Sequence, residues 1–204
     1  MTLCLVTDRR RLAGGDAPLE RARRCLVSQI RSAAAAGVEL VQIRERDLGA
    51  RDLASLVRDA AAAVRGSRTK VVVNDRLDVA LACGADGVHL RGDSIPVAAA
   101  RQLAPAGFLI GRSVRTVAEA QAAVNADYLI AGTVFASVSK PALADPLGLE
   151  GLGAIVRATS TPVLAIGGVT RARLADIEAA GAAGAAGIGL FIGAGAFDSL
   201  KTAS

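Results

Sequence analysis

Two arginines, Arg44 and Arg46, stand two residues apart at the end of an apolar run, in Gln42-Ile-Arg44-Glu-Arg46. Paired guanidiniums at that spacing can grip phosphate oxygens in a bidentate way that lysine cannot. The competing reading is a surface ion-pair cluster with Glu45 and Asp47. Five more apolar runs end on residues of related chemistry: Asn74-Asp75-Arg76, His89-Leu-Arg91-Gly-Asp93, Gly111-Arg-Ser113, Ser137-Val-Ser139-Lys140 and Gly167-Gly168. Asp75, just beyond three valines, suits Mg²⁺, which commonly takes one or two carboxylates plus substrate phosphate oxygens. Asn74 could hydrogen-bond a heterocycle, although either residue could instead cap a helix starting at Leu77. Asp93 offers a second carboxylate, or with Ser94 an N-cap ahead of Pro96. Ser137, Ser139 and Lys140 bring two hydroxyls and a point charge suited to pyrophosphate. Glycine pairs after the last two apolar runs would expose backbone N–H groups to a phosphate. His89, the only histidine, reads more readily as a packed strand residue than as a catalyst.

Residues this far apart meet only if their strands emerge on one face. Apolar runs of strand length fall near 3–7, 39–43, 70–73, 87–90, 109–112, 127–131, 163–166 and 187–191. Alanine-rich helical stretches fall near 17–36, 50–65, 77–83, 96–103, 116–124, 149–158 and 171–180, with a short last helix after 193. Segments such as Gly84-Ala-Asp-Gly-Val-His-Leu90 and Gly184-Ala-Ala-Gly-Ile-Gly-Leu190 form a weak repeat in which a left-handed glycine or asparagine ends a helix before a strand. Alternating β and α units with near-continuous apolar strands predict an α/β fold, a parallel sheet covered by helices. Eight units in 204 residues predict one compact single-domain (β/α)8 TIM barrel spanning 1–204. A doubly wound open sheet is the alternative, but no G-x-G-x-x-G follows the first strand. The one long loop, 135–149, is long enough to be functional.

Composition narrows the function classes. A net charge of +5 with only 2% aromatic residues offers no stacking platform, so nucleic acid is not the expected partner. Residues 179–197 carry no charge but are mostly alanine and glycine, so no membrane span is expected. Cys4, Cys25 and Cys83 are odd in number and far apart, and fit reduced thiols. A strand begins almost at once at Leu3-Cys-Leu-Val6, so a cytoplasmic protein is expected. With a single histidine, neither a Ser-His-Asp triad nor a histidine metal centre is expected. The sequence does not fix the oligomer, and a homodimer is a possible assembly.

Taken in order, Leu5-Val-Thr-Asp8, Val41-Gln-Ile-Arg-Glu-Arg46, Val73-Asn-Asp-Arg76, Gly84 to Leu90, the 134–140 loop and Ala165-Ile-Gly-Gly168 resemble the thiamine-phosphate synthase family. That family shares a TIM barrel with the thiazole tautomerases. The resemblance implies an enzyme whose partners are two small phosphorylated substrates. It would join a pyrimidine methyl pyrophosphate to a thiazole phosphate through a pyrimidine carbocation, releasing pyrophosphate with Mg²⁺. It implies that Gln42, Arg44, Arg46, Asn74, Asp75, Ser137, Ser139 and Lys140 form the pyrimidine-pyrophosphate site, with Asp75 on the metal and Ser113 beside the pyrimidine. Gly167, Gly168 and the backbone near Ile192 would hold the thiazole phosphate. Two departures stand out. The family usually has lysine where this chain has Arg46. Its Gly-Gln-x-Asp stretch is here Arg91-Gly92-Asp93-Ser94, which puts Ser94 at the second metal carboxylate and leaves Asp93 as the substitute ligand. Arg-Glu-Arg-Asp and Gly-Arg-Ser-Val also resemble the tautomerases, yet their histidine two residues after the serine is here Arg115. The synthase is the expected activity; the tautomerase and a non-catalytic thiazole-phosphate-binding relative are the alternatives.

Overall fold

The computed structural model describes residues 1–136, 145–193 and 195–198. Eight parallel strands close into a barrel in chain order: β1 (Thr2–Val6), β2 (Leu40–Ile43), β3 (Lys70–Asn74), β4 (Gly87–Leu90), β5 (Leu109–Val114), β6 (Tyr128–Gly132), β7 (Val163–Ile166) and β8 (Gly184–Gly187). Around it run α1 (Arg9–Ala13), α2 (Leu19–Ala35), α3 (Ala50–Ala63), α4 (Leu77–Ala82), α5 (Val97–Leu103), α6 (Val117–Ala122), α7 (Gly148–Arg157) and α8 (Leu174–Ala179). The expected (β/α)8 barrel is therefore the fold. Among the described residues, no helix is long and apolar enough to cross a membrane. All three cysteines are free thiols.

Two cores hold the layers together. The larger lies between barrel and helices, where Leu26, Ile30, Leu56, Val57, Ile155 and Ile177 meet the outward faces of the strands. The smaller fills the barrel itself with Cys4, Val6, Leu40, Val72, Tyr128, Ile130, Leu164 and Ala186. Burial pushes the Cys4 thiol up to about 12, so it serves as packing rather than as a nucleophile. Glycine appears in the strands where a neighbouring side chain or backbone leaves no room for a Cβ. A Cβ on Gly111 would lie 2.1 Å from the Tyr128 Cζ, and one on Gly184 would lie 2.0 Å from the Thr2 carbonyl oxygen.

The last strand differs from the sequence expectation. β8 is Gly184–Gly187, and the strongly apolar Gly189–Phe191 that followed looks like a strand only by hydrophobicity; it is a 3-10 turn. Small residues suffice in β8 because β1 and β7 press close on either side. Backbone conformation shows the correct frame. Positive φ occurs at Gly37, Gly84, Asn125 and Gly181, each three residues before its strand begins at Leu40, Gly87, Tyr128 and Gly184. The junction glycine of the last unit is thus Gly181 and not Gly184. The helix expected over 171–180 splits into a 3-10 turn, Arg171–Arg173, and α8. The short helix α1, capped by the Asp8 carboxylate accepting from the Arg11 N–H, was not expected. The last helix expected after 193 falls partly on residues outside those described, and 195–197 form a turn.

The Gly111 gap gives a direct test of barrel packing. Gly111→Ala should lower stability by about 1–3 kcal/mol in urea unfolding, because the added methyl overpacks the Tyr128 ring. In the Gly111→Ala/Tyr128→Ala double variant the two costs should be far from additive, since removing the ring removes the overlap. Additive costs would locate the strain elsewhere.

Candidate functional site

All eight C-terminal strand ends open on one mouth, where a cavity of about 1430 Å³ is found. Its floor takes one inward side chain from each strand: Val6, Gln42, Asn74, His89, Ser113, Ile130, Ile166 and Ala186. The floor divides by chemistry. β2 to β5 supply amides, an imidazole and a hydroxyl, whereas β6, β7, β8 and β1 supply only hydrocarbon. Above it stand Arg44, Arg46, Arg91 and Arg115 on one side, and on the other Gly167, Gly168, Ile188 and Ile192 together with the cations Arg11, Arg171 and Arg173.

The arginine pair is free for an anion because the neighbouring carboxylates are occupied. Glu45 is buried and accepts from the Thr7 hydroxyl at 2.8 Å, from the Arg9 backbone N–H at 3.1 Å and from Arg9 Nη1 at 2.8 Å. The same guanidinium grips both Asp47 oxygens at 2.6 Å, and Arg10 adds a third contact at 2.7 Å. Arg9 holds the Asp47 carboxyl down at about 2. The ion-pair cluster weighed from sequence therefore exists, but its cation is Arg9. Among the described residues Arg44 and Arg46 make no ion pair. Burial, and then repulsion from Arg46, lower the Arg44 pKa from its ordinary value, the signature of a cationic site awaiting negative charge.

Between the arginines and the barrel interior lies an unmet donor. Gln42 is 3% exposed and its Nε2 has no hydrogen-bond partner among the described residues. Leaving such a buried amide unsatisfied costs about 1–3 kcal/mol, which a ligand acceptor in the cavity would recover. Across the floor, His89 Nε2 lies 2.8 Å from the Ser113 hydroxyl and His89 Nδ1 lies 3.2 Å from the Tyr128 hydroxyl. Either tautomer satisfies all three groups. Burial, reinforced by Arg112, pushes the imidazole down to about 3, so it stays neutral and acts as a bridge. The sequence reading missed Tyr128 as its partner; the Tyr128↔Gly111 pairing, with glycine making room for a ring, was the available signal.

Asp75 and Asp93 meet only through other groups. Asp75 sits at φ 64, and the Ser94 hydroxyl donates to its Oδ1. Arg91 Nη1 lies 3.5 Å from the other Asp75 oxygen. Arg91 also holds Asp93 in a fork, with Nε at 2.9 Å from Oδ1 and Nη2 on Oδ2. Neither acid caps a helix: α4 is preceded by Arg76 and α5 by Pro96, both without a side-chain cap. Among the described residues no group of three or more histidines, cysteines and acids could hold a metal alone. The donor set instead suits an ion that takes one carboxylate here and the rest from substrate and water.

On the apolar side Gly167 and Gly168 have φ of 97° and 62°. A Cβ on Gly168 would lie 2.6 Å from the Ala136 carbonyl oxygen, so the backbone itself forms that wall. Arg173 fixes it, donating to the Gly168 carbonyl at 2.7 Å while stacking 4.3 Å over the Phe135 ring. Ile188 and Ile192, which follow the neighbouring β8, line the same cavity. Gln42, Arg44, Arg46, Asn74, Ser113, Gly167, Gly168 and Ile192 are thus gathered at one mouth, with Asp75 and Asp93 just behind Arg91. Ser137, Ser139 and Lys140 lie outside the described residues.

The neutral imidazole has a measurable consequence. Unfolded, His89 takes a proton near 6.5; folded, it resists until about 3. Between these values the unfolded chain binds more protons, so stability should fall with falling pH by up to roughly 1.4 kcal/mol per unit. Because His89 is the only histidine, His89→Gln should flatten that slope in the part of the window above the carboxylate pKa values. An imidazole NMR signal that titrates near 6.5 in the folded protein would contradict the assignment.

Similarity to known proteins points the same way. The family profile described as thiamine monophosphate synthase matches residues 3–191. A thiamine-phosphate synthase of Methanoculleus marisnigri is 47% identical over 171 residues, covering 81% of this chain and 79% of its own length. One from Chloroflexus aurantiacus is 39% identical over 196 residues, covering 95% of this chain and 90% of its own. Among solved structures, the thiamine phosphate pyrophosphorylase of Pyrococcus furiosus superposes with a TM-score of 0.81 at 32% identity, covering 98% of this chain and 92% of that one. With this agreement over nearly its whole length, the chain belongs to the thiamine monophosphate synthase family.

Proposed function

We propose that the chain is a thiamine-phosphate synthase, transferring a pyrimidinylmethyl group from its pyrophosphate to a thiazole phosphate. The observation that carries this reading is the divided floor of the mouth, where Arg44 and Arg46 without an ion pair and a Gln42 amide without an acceptor, both among the described residues, share one cavity with isoleucine side chains and glycine backbone. The pyrophosphate lies against Arg44 and Arg46, with Ser137, Ser139 and Lys140 of the long loop completing its cradle. Asn74 and Ser113 contact the pyrimidine, and Ser113 is held in place by the neutral His89. The thiazole ring rests on Ile130, Ile166 and Ala186, its phosphate on the backbone of Gly167, Gly168 and Ile192.

The chemistry needs little beyond this. The bond between the pyrimidine methylene carbon and the pyrophosphate oxygen breaks, and its electron pair leaves with the oxygen. The thiazole nitrogen lone pair then forms the new bond to that methylene carbon. No proton is exchanged, which suits a site whose one imidazole stays neutral. The guanidiniums stabilise the charge gathering on the leaving group, and the apolar wall keeps water from the cation. Asp75 would hold Mg²⁺, which when bound lowers the charge of the departing pyrophosphate. A tautomerase reading would need a proton shuttle, but Arg115 stands at that position and its guanidinium donates to the Asp145 carbonyl.

Purified protein should form thiamine phosphate from pyrimidine methyl pyrophosphate, thiazole phosphate and Mg²⁺, read by mass spectrometry. Arg44→Ala should lower kcat/KM by about 100-fold to 1000-fold, as expected for losing a donor to developing charge. Asp75→Ala and EDTA should each suppress product. Folded wild-type protein that makes none at saturating substrates would overturn the reading.

A further inference from the structure

Arg91 stands where the two carboxylates of this site converge. It follows β4 directly, lines the cavity, forks onto Asp93 and reaches the free oxygen of Asp75. Its backbone N–H donates to the Ser94 hydroxyl at 2.8 Å, and that hydroxyl donates to the other Asp75 oxygen. Arg112 braces the same loop on the carbonyls of Gly92 and Ile95, each at 2.8 Å. The loop is therefore built to present a fixed cation between two acids, in the place a divalent cation would need. These ion pairs are also partly exposed, with side-chain exposures of 36% for Arg91, 31% for Asp75 and 68% for Asp93. Pairs so exposed contribute little and can be given up.

We propose that Arg91 is an exchangeable counter-ion, holding Asp75 and Asp93 until a pyrophosphate arrives and then turning to the phosphate oxygens. Asp75 is thereby released to Mg²⁺ only when the pyrophosphate is present, and Arg91 becomes a substrate-binding residue for that group. The inference rests on the proposed role of Asp75 as metal ligand. It makes the empty site a poor cation binder by construction, because protein cation and metal compete for one carboxylate.

Binding alone tests this, with Mn²⁺ followed by electron paramagnetic resonance and inorganic pyrophosphate followed by calorimetry. Without pyrophosphate, Arg91→Gln should bind Mn²⁺ about tenfold more tightly than wild type, a coupling of ordinary size between competing groups. In EDTA the same variant should bind pyrophosphate about tenfold more weakly. Asp93→Asn, which frees Arg91 without altering it, should strengthen pyrophosphate binding in EDTA and keeps the test intact if Arg91→Gln misfolds. Mn²⁺ that binds with pyrophosphate but is indifferent to Arg91→Gln overturns the exchange while leaving the proposed reaction standing. Mn²⁺ that fails to bind even with pyrophosphate overturns the metal role of Asp75 and this inference with it.

Discussion

The site's electrostatics rest on Arg9. Its side chain is 7% exposed, yet its guanidinium accommodates Glu45 and Asp47 together while Thr7 and its own backbone N–H finish the Glu45 carboxylate. A buried charge is tolerable only when paired and hydrogen-bonded this fully. The network also ties the end of β1 to the end of β2, since the Thr7 hydroxyl accepts from the Arg44 backbone N–H at 2.9 Å. Strand alternation does the rest. Both acids turn back toward Arg9, while Arg44 and Arg46, which alternate with them, line the cavity. Four alternating charges, which sum to nothing in sequence, are sorted into two acids braced by Arg9 and Arg10 and a cationic pair, Arg44 and Arg46.

That sorting costs stability, and the cost is concentrated where a ligand can offset it. Arg44 is depressed by burial and by Arg46, and the Gln42 amide is shut away from water without an acceptor. Both penalties vanish when an oxyanion enters. The apolar side carries no comparable strain, because isoleucine and alanine need no partners. On the floor of the mouth, groups that need partners thus occupy one half and hydrocarbon the other.

Much of this was legible in the sequence, for identifiable reasons. Strands ending on Arg44, Asn74, Ser113 and Gly167 could be read because valine, isoleucine and leucine mark them and polar residues stop them abruptly. β8 could not, since Gly184 to Gly187 is nearly featureless and its identity as a strand depends on how tightly β1 and β7 approach. Spacing from a left-handed residue proved the sturdier guide: Gly181 predicts β8 where hydrophobicity misplaces it. The partner of the Glu45 and Asp47 acids was hidden for a different reason. Arg9 lies 36 residues before Glu45, and only barrel closure brings them together. His89 shows the same limit. Its place in a strand was readable, but its neutrality comes from complete burial inside the closed barrel, reinforced by Arg112 of another strand.

The state of His89 bears on what class of reaction the mouth can host. A neutral imidazole locked between two hydroxyls neither gives nor takes a proton at ordinary pH, and the acids nearby are engaged with arginine or serine. General acid–base catalysis needs a group poised near the working pH. Burial moves His89 away from that range. What remains is a concentration of fixed positive charge above a partly hydrocarbon floor, which favours heterolysis with departure of an anion over proton transfer. The chain's lack of a second histidine is then consistent with its chemistry: a site that breaks a carbon–oxygen bond by stabilising the oxygen's electrons has no use for one.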